Sequence, residues 1–356
     1  MKIITVIGAR PQFVKAATVS RALKKYASVE EIIIHTGQHF DNNMSEIFFD
    51  EMEIPKPKYN LNINSLSHGA MTGQMLEGIE KILQEEKPDW VLVYGDTNST
   101  LAGALAAKKL HIKVAHVEAG LRSFNMQMPE EINRILTDRI SDILFVPTDS
   151  AIKNLENEGF KNFETEIIKS GDVMQDAAIY YSKTSESKSK IISQLPFKEF
   201  VLCTLHREEN TNDISVLKRM LSALVKINLQ FPVVLPLHPR TKKIMKENAI
   251  ETSLHIIEPV GYFDMIELLK HCSLVLTDSG GLQKEAFFFH KHCITLREQT
   301  EWVELVENGF NKVVGSDEEK IISAFNYFLK TKCDFNINLY GNGKASEIIA
   351  ESLTKI

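Results

Sequence analysis

Three carboxylates in the first half of the chain stand where a carboxylate could do chemistry. Asp96 and Glu118 each come just after a strongly apolar run, and Glu130 lies in a Pro-Glu-Glu segment typical of a helix start. A charged side chain beside so apolar a run needs a partner or a task. Carboxylates in different surroundings can take different pKa values, so these three could divide acid duties from base duties.

Each carboxylate also has a structural interpretation. Asp96 could cap the helix that follows it, with Thr97 and Ser99 bonding other free N–H groups, and on this segment alone capping and catalysis are equally supported. Acidic residues in a first helical turn favour the helix dipole. That explanation is strong for Glu131 and weaker for Glu118.

The loop after the first predicted strand, Gly8-Ala9-Arg10-Pro11-Gln12, turns into a helix. A helix N-terminus offers free N–H groups and a positive dipole end, which suit phosphate. Arg10 and Lys15 add positive charge there. The spacing is neither that of a dinucleotide fingerprint nor that of a Walker loop, so neither NAD nor ATP is indicated. Taken alone, the loop is also typical of an ordinary strand–glycine–helix turn.

A second glycine turn, in the other half of the chain, opens a helix with Ser279, Gly280 and Gly281. It predicts another phosphate cradle. Glu285 lies in the first turns of the same helix, where its carboxylate could accept hydrogen bonds from a ribose diol.

Two histidines, His206 and His238, follow predicted strands of the second half. A lone histidine is more often structural than catalytic, but two at equivalent strand ends weaken that interpretation. Together with the carboxylates they could suggest a metal. The H-E-x-x-H spacing is absent from the sequence, and the H-x-H pair at 290–292 precedes a strand. We therefore expect no metal.

The candidate residues can form a common site only if the fold brings the ends of their strands together. Short unbroken apolar runs alternate with helical patterns up to about residue 146, and the series restarts near residue 200. The pattern predicts an α/β protein with two Rossmann-like, doubly wound parallel sheets facing a cleft. We place the first domain at 1–170, joined by a C-terminal helix at 341–356, and the second at 171–340. The polar stretch 182–190 is either an interdomain connection, which is slightly favoured, or a solvated helix face.

Composition sets the broad class. A chain of 356 residues exceeds one ordinary core, so two domains are the default. The net charge of −6 indicates no general attraction to nucleic acid or to an anionic membrane. The four cysteines lack C-x-x-C spacing and the N-terminal apolar run is short, so we expect a cytoplasmic protein with reduced thiols.

The motifs together resemble those of the non-hydrolysing UDP-N-acetylglucosamine 2-epimerases. In order they read GARPQFVKAA, HTGQHF, YGDTNSTLAGALAA, HVEAGLRS, PEEINR, GDVMQDA, HREEN, LTDSGGLQKEA and TEWVELVENG. They span nearly the whole chain. The resemblance implies a glycosyltransferase-B-type fold, a UDP-sugar substrate and a homodimer.

The resemblance also implies the reaction. UDP-N-acetylglucosamine and UDP-N-acetylmannosamine interconvert by anti-elimination of UDP through 2-acetamidoglucal, followed by re-addition. Such chemistry needs carboxylates on both sides of the sugar ring, a stabilised diphosphate and exclusion of water, but no cofactor and no metal. The product would feed the synthesis of bacterial surface polysaccharide.

Roles carry over motif by motif. The acid/base carboxylates are Asp96, Glu118 and Glu130. Glu285 matches the ribose contact, and Lys15 is an electrostatic helper. The expected diphosphate contacts are Arg10, His206, Ser279 and Gly280, and His206 also belongs to the predicted catalytic set. The remaining predicted substrate contacts are Gln38, His238, Gly281 and Arg297.

Two departures concern the sugar. Gln12 stands where many relatives that use plain UDP-N-acetylglucosamine have a glutamate, and Trp302 and Val303 replace an Arg-Pro pair. Both variants are closer to relatives acting on UDP-2,3-diacetamido-2,3-dideoxyglucuronate, whose carboxylate could pair with Arg297. The motifs put plain UDP-N-acetylglucosamine slightly ahead. A hydrolysing 2-epimerase or a retaining glycosyltransferase would share this architecture, so both functions stay open at this point.

A third departure concerns regulation. Some relatives bind a second UDP-N-acetylglucosamine as an activator. Gln38 and His39 are retained here, but Asp41 replaces a glutamine and the expected arginine region reads SLSH at 65–68. We therefore expect no allosteric activation.

Overall fold

The computed structural model describes residues 1–38, 52 and 54–355, except for the side chain of Arg10. The chain forms two compact units: Met1–Ala177 with Asn338–Ile356, and Ala178–Ile337. The division falls inside a helix, Val173–Lys188. The predicted boundary at 170/171 lies in the loop before that helix.

Each unit contains one sheet, and the described strands pair in parallel throughout. The first sheet has the order β3-β2-β1-β4-β5-β6-β7 and the second β10-β9-β8-β11-β12-β13. Both orders reverse direction beside their first strand, as doubly wound sheets do. The strands are β1 Lys2–Ile7, β2 Glu30–His35, β3 Tyr59–Asn60, β4 Trp90–Tyr94, β5 Lys113–Val117, β6 Ile143–Val146, β7 Glu166–Lys169, β8 Val201–Thr204, β9 Val233–Pro236, β10 His255–Ile257, β11 Leu274–Thr277, β12 Cys293–Thr295 and β13 Asn311–Val313.

Helices connect the strands, and a short 3₁₀ turn spans Phe160–Asn162. The α-helices of the described residues are α1 Arg10–Leu23, α2 His68–Glu86, α3 Asn98–Lys109, α4 Pro129–Ile140, α5 Asp149–Asn157, α6 Val173–Lys188, α7 Ile191–Gln194, α8 Glu208–Thr211, α9 Ile214–Asn228, α10 Pro239–Glu247, α11 Tyr262–His271, α12 Gly280–Phe288, α13 Val303–Glu307, α14 Glu318–Phe328 and α15 Ala345–Lys355.

The central strands are buried along their whole length, which explains their unbroken apolar sequences. β4, β6, β9 and β11 have no exposed residue. A fully buried Val or Leu side chain stabilises the fold by about 1.5–3 kcal/mol relative to exposure. On the first sheet α3 approaches β1 closely, because a Cβ on Gly103 would lie 3.2 Å from Val6 side-chain atoms. These central strands carry the loops that hold the predicted site residues.

The polar stretch 182–190 differs from the favoured expectation. It continues α6 as far as Lys188 and lies within the second unit, so the interpretation as an interdomain connection is wrong. Two of its serines contact a neighbouring helix: the Ser185 hydroxyl donates to Glu267 Oε1 (2.5 Å) and the Ser189 hydroxyl to Asp264 Oδ1 (2.5 Å). Ser185 is buried. The helical interpretation therefore holds for most of the stretch, but the face is not simply solvated.

The C-terminal helix α15 returns to the first unit, where it packs against α1. Asp176 anchors its start, because its carboxylate accepts the backbone N–H groups of Ala345 (3.1 Å) and Ser346 (2.8 Å). A carboxylate at a helix N-terminus both caps the helix and complements its dipole. The first unit is thus completed by the last residues of the chain.

No helix among the described residues is long and apolar enough to cross a membrane. The cysteines are free thiols, and three of them are buried. Burial raises the pKa of the Cys272 thiol to about 12, which keeps it protonated and unreactive at neutral pH.

Candidate active site

Glu118 lies directly after β5 and forms an ion pair with Lys15 of α1. Lys15 Nζ is 2.5 Å from Glu118 Oε1, and both side chains are only 9% exposed. Glu118 adopts a left-handed backbone (φ 71°), which is uncommon for a residue with a side chain. Gly95 borders the pair, because a Cβ there would lie 3.1 Å from Lys15 Nζ. The structure thus brings together two predicted site residues, with the charge of Glu118 matched by an ammonium.

Asp96 follows β4 and pairs with an arginine that the sequence analysis left without a role. Arg134 Nη1 of α4 donates to Asp96 Oδ2 at 2.6 Å, while the Asp96 side chain stays 33% exposed. The capping interpretation of Asp96 is wrong: the N-cap of α3 is Thr97, whose hydroxyl accepts the Thr100 N–H at 3.3 Å. Asp96 is therefore held in place by a cation and remains partly open to solvent.

Glu131 holds that arginine and the loop before α4. Its carboxylate accepts the backbone N–H groups of Ser123 (2.9 Å) and Phe124 (2.8 Å) and the guanidinium of Arg134 (2.6 Å). Burial raises the pKa of Glu131, but these hydrogen bonds outweigh burial and the net shift is downward. The expectation of a structural Glu131 fits this geometry.

Glu130 differs from its neighbour. It is half-buried in the first turn of α4 and makes no hydrogen bond or ion pair with the described residues. Its carboxylate is thus available, on the same helix that supplies Arg134 to Asp96.

The loop after β1 is organised by Gln12. Gln12 Oε1 accepts the N–H groups of Gly8 (2.8 Å) and Ala9 (3.0 Å), and Gln12 Nε2 donates to Tyr94 O (2.8 Å) and Thr100 Oγ1 (3.0 Å). The expectation that this loop offers free N–H groups is therefore wrong for Gly8 and Ala9. The side chain of Arg10 lies outside the described part of the structure.

The side chain of Gln38 contacts the N-terminus of α3. Its Oε1 accepts the N–H (3.2 Å) and the hydroxyl (2.8 Å) of Ser99. The Ser99 hydroxyl also contacts the hydroxyl of Thr36 (2.8 Å), next to Gly8, where a Cβ would clash with both side chains. Two residues of the allosteric prediction, His39 and Asp41, lie outside the described residues, so that prediction stays open.

A buried charge network that the sequence analysis missed lies beneath these loops. His116 of β5 is fully buried, with Nδ1 2.7 Å from Asp138 Oδ1 and Nε2 2.7 Å from Gly95 O. Arg122 Nη1 donates to Asp138 Oδ2 at 2.7 Å. Burial raises the pKa of Asp138, but His116 and Arg122 outweigh it and lower the pKa overall. The available signal was a histidine inside an otherwise apolar strand, which must find polar partners.

In the second unit, His206 follows β8 and is held by Asp278, which follows β11. His206 Nδ1 is 3.1 Å from Asp278 Oδ1, and the backbone N–H groups of His206 and Arg207 donate to Asp278 Oδ2, each at 2.9 Å. Asp278 is buried, yet the His206 hydrogen bond and charge lower its pKa against the opposing effect of burial. His206 is 39% exposed, and its Nε2 has no hydrogen-bond partner in the described chain.

His238 lies beside His206, with ring centroids 5.8 Å apart. It is the N-cap of α10, and its Nδ1 accepts the Arg240 N–H at 3.3 Å. The structure thus brings the two predicted histidines together, and it also gives His238 a structural task.

The predicted second phosphate cradle corresponds to the start of α12. Ser279 is its N-cap and makes no side-chain capping bond, and Gly281 faces open space. Gly280 is tightly enclosed: Trp302 Nε1 donates to its carbonyl oxygen at 3.0 Å, and a Cβ would lie 2.4 Å from Glu301 Oε1. A side chain at position 280 would therefore force the Glu301 carboxylate to move, and the first turn of the helix has N–H groups without intrahelical partners.

Two predicted substrate contacts lie near this helix start. Glu285 is a buried residue of α12. Arg297 is also buried and pairs with Glu301 at 3.1 Å. Its charge is already matched, which reduces its fitness as a partner for a sugar carboxylate. Among the described residues, no group of three or more His, Cys, Asp or Glu side chains is arranged to hold a metal ion.

Comparisons with known proteins place this geometry in a family. A family model described as UDP-N-acetylglucosamine 2-epimerase matches residues 21–354. UDP-2,3-diacetamido-2,3-dideoxy-D-glucuronate 2-epimerase of Pseudomonas aeruginosa is 55% identical over 100% of both chains. UDP-N-acetylglucosamine 2-epimerase of Methanocaldococcus jannaschii is 45% identical over 99% of each.

Solved structures agree. The M. jannaschii UDP-GlcNAc 2-epimerase in complex with UDP-GlcNAc and UDP matches with a TM-score of 0.93 at 45% identity, covering 100% of both chains. The Neisseria meningitidis enzyme bound to UDP-GlcNAc matches with a TM-score of 0.90 at 33% identity, again over 100% of both. The predicted fold class is confirmed. The chain belongs to the UDP-N-acetylglucosamine 2-epimerase family.

Proposed function

We propose that the protein inverts C2 of a UDP-linked 2-acetamido sugar and that its substrate is UDP-2,3-diacetamido-2,3-dideoxy-D-glucuronate. One observation carries this choice: the P. aeruginosa relative named for that activity is 55% identical over the full length of both chains. The motifs alone put UDP-N-acetylglucosamine slightly ahead, and the full-length identity reverses that order.

In the proposed reaction a carboxylate removes the C2 proton while the C1–O bond to UDP breaks. The electron pair of the C–H bond forms the C1–C2 double bond, and the diphosphate oxygen takes the electron pair of the C1–O bond. An acid then delivers a proton to the opposite face of C2 as UDP adds back to C1. Protons and UDP are exchanged but no electrons are gained or lost, so the route calls for no redox cofactor.

The surroundings of Glu118 and Asp96 support a division between base and acid. Glu118 is nearly buried against an ammonium, while Asp96 is paired with a guanidinium and one-third exposed. Carboxylates in unlike settings can be held in different protonation states at one pH. Glu130, which has no partner among the described residues, is the third candidate for proton transfer.

The second unit supplies the proposed UDP contacts other than Arg10, which belongs to the first unit. The first-turn N–H groups of α12 at Gly280 and Gly281, with the exposed Nε2 of His206, suit a diphosphate oxygen that gains charge as the C1–O bond breaks. The Ser279 N–H already donates to Thr277 Oγ1 at 2.9 Å, so only the Ser279 hydroxyl is left as a proposed contact. We assign Glu285 to the ribose hydroxyls, as the resemblance implies.

UDP-N-acetylglucosamine remains a second candidate for a specific reason. A sugar carboxylate needs a cation, and Arg297 is already paired with Glu301. The M. jannaschii relative, solved with UDP-GlcNAc, is 45% identical. An uncharged sugar would make no demand on Arg297.

The test offers both UDP sugars separately to the enzyme in deuterated water and follows C2 by NMR. We expect deuterium at C2 of the diacetamido uronic acid and an epimer that keeps its UDP. Deuterium only in UDP-N-acetylglucosamine would transfer the assignment to the second candidate. Free sugar as the main product would instead indicate a hydrolysing enzyme, and a requirement for an acceptor sugar would indicate a glycosyltransferase.

We further propose that the enzyme is a cytoplasmic homodimer serving polysaccharide synthesis, as the family resemblance implies. The free thiols support a reducing compartment. Light scattering of the purified chain measures the assembly directly, and a monomeric mass at micromolar concentration would contradict this part of the proposal.

A further inference from the structure

We propose that His116 acts as a permanently charged imidazolium that positions the catalytic turn directly after β4. The proposal rests on the proposed function for its kinetic consequence, but not for the charge state. His116 is a positioning residue, since its ring is fully buried and acts on Asp96 and Glu118 through the backbone of Gly95.

The hydrogen bonds fix the protonation of the ring. Both nitrogens of His116 are 2.7 Å from an acceptor: Nδ1 from Asp138 Oδ1 and Nε2 from Gly95 O. A backbone carbonyl can only accept, so Nε2 must carry a proton. An ionised carboxylate can also only accept, so Nδ1 must carry one too. A ring with protons on both nitrogens is an imidazolium.

The competing arrangement is a neutral ring beside a protonated Asp138. The second oxygen of that carboxylate argues against it, because Asp138 Oδ2 accepts from Arg122 Nη1 (2.7 Å) and from the Gly120 N–H (3.1 Å). These donors stabilise the ionised form, in line with the lowered pKa of Asp138. The shared proton therefore stays on the ring.

The charges of the network balance once Glu158 at its partly exposed edge is included, which makes a permanent imidazolium tolerable in this interior. Arg122 also donates from Nε and Nη2 to Glu158, at 2.6 and 2.8 Å. Two cations, His116 and Arg122, thus face two anions, Asp138 and Glu158. Buried charges persist when they are paired and hydrogen-bonded in this way.

The ring holds the backbone of Gly95, which lies next to both proposed catalytic carboxylates. Gly95 has a left-handed backbone (φ 63°), donates its N–H to Val117 O at 2.9 Å and gives its carbonyl oxygen to His116. Asp96 is the next residue along the chain, and Glu118 follows Val117. The backbone N–H and carbonyl groups of Gly95 are therefore both hydrogen-bonded. These bonds fix the backbone next to Asp96 and Glu118, and so the positions of the two carboxylates.

The first measurement is the charge of the ring in the wild-type chain. With ¹⁵N-labelled histidine, we expect one residue to show two slowly exchanging ring N–H protons and imidazolium nitrogen shifts up to about pH 9, where an ordinary histidine is neutral. The His116→Gln spectrum assigns that signal by its loss. A single ring N–H, or a neutral nitrogen shift within this range, would overturn the proposal. This readout needs neither a known substrate nor a folded variant to establish that one such histidine exists.

The second measurement is kinetic. His116→Gln keeps a donor for one acceptor but loses the charge, and a misplaced catalytic group of this kind costs about 10²-fold in kcat. KM and the affinity for UDP should stay within about twofold, since ground-state binding is not the property lost. The control is His111→Asn, at an exposed left-handed position before β5 that asparagine tolerates. Its kcat should not change.

Each outcome bears on one proposal. An unchanged kcat in folded His116→Gln would overturn the positioning role, and an equal loss in UDP affinity would reduce it to general stability. If the wild-type chain epimerises neither UDP sugar, the proposed function fails, while the ring N–H signals still decide whether His116 is charged.

Discussion

Each unit of the molecule sets a buried aspartate behind a histidine, but the two pairs differ in what the histidine can still do. His116 is fully buried, and both of its ring nitrogens are engaged, by Asp138 and by a backbone carbonyl. His206 is 39% exposed, and only its Nδ1 is held, by Asp278. The closed pair, His116 and Asp138, can therefore only hold the backbone in place. The open pair, His206 and Asp278, presents an oriented Nε2 to a ligand.

The carboxylates follow the same contrast. In the first unit the carboxylates of Glu118 and Asp96 each meet a cation from a helix, Lys15 or Arg134. In the second unit the helix α12 instead presents backbone N–H groups and a glycine at its start. The first arrangement suits proton transfer and the second suits binding of an anion. The variants below test that division.

Glu118→Gln should give the largest effect. The amide keeps the shape but cannot exchange a proton at C2, so kcat should fall by about 10²–10⁴-fold. UDP affinity, measured by calorimetry, should be unchanged, because Glu118 is not among the proposed UDP contacts. The matched control is Glu156→Gln, which removes a surface ion pair with Lys161. If UDP affinity falls as far as kcat does, the division between the units is wrong.

Removing the two aspartates should separate the closed pair from the open one in stability. Asp138→Asn breaks a network whose ionic groups, apart from Glu158, are almost wholly buried, and should lower the free energy of unfolding by about 3–5 kcal/mol. Asp278→Asn should cost less, about 1–3 kcal/mol, because its histidine is partly solvated. Urea denaturation near neutral pH measures both. Equal losses would remove the distinction.

The pH dependence of these losses has a fixed sign. The pKa of each aspartate is lowered in the folded chain, so the stability that each contributes is complete above the unfolded value, about 3.9. It is lost as pH falls through the lower folded value. The difference in the free energy of unfolding between wild type and either variant should therefore be largest near neutral pH. It should shrink below about pH 4. A difference that grows on acidification would contradict the lowered pKa.

His206→Ala should have a smaller effect, centred on UDP. A hydrogen bond to a charged group contributes about 1.5–3 kcal/mol, so the Kd for UDP should rise by roughly tenfold to a hundredfold. His255→Ala, at a partly exposed histidine of the same unit that packs on Phe197, is the control. An unaltered Kd would mean that the exposed Nε2 is not a UDP contact.

The sequence was sufficient for the inner strands of both sheets and for the positions of most candidate residues. It did not predict the edge strands β3, β7 and β13. Unbroken apolar runs marked β4 and β11, and polar residues after such runs fall at the carboxyl ends of parallel strands. The partners of those residues were not predictable, because they are remote in the chain. Lys15 and Glu118 are 103 residues apart, and Arg134 and Asp96 are 38 apart. Periodicity identifies buried faces, but it does not say which charged side chains meet across them.

The polar contacts of Gln12 were not predictable from the sequence either. The departure from glutamate suggested that Gln12 helps to select the sugar. In the structure its amide is buried, with the oxygen bonded to Gly8 and Ala9 and the nitrogen to Tyr94 and Thr100. A glutamate could keep the first two bonds but has no proton to donate to the Tyr94 carbonyl. The glutamine therefore ties the loop after β1 to the end of β4.

Gln12→Glu should consequently lower the free energy of unfolding by about 1–3 kcal/mol, the cost of leaving a buried polar group unsatisfied. The ratio of kcat/KM for the two UDP sugars should stay constant, because the side chain is turned inward to its own loop. Gln230→Glu, on an exposed turn after α9, provides the matched control and should change neither quantity. A shift in that ratio of about tenfold towards UDP-N-acetylglucosamine, or roughly 1.4 kcal/mol, would show that position 12 selects the sugar after all, and that the loop transmits its charge to the site.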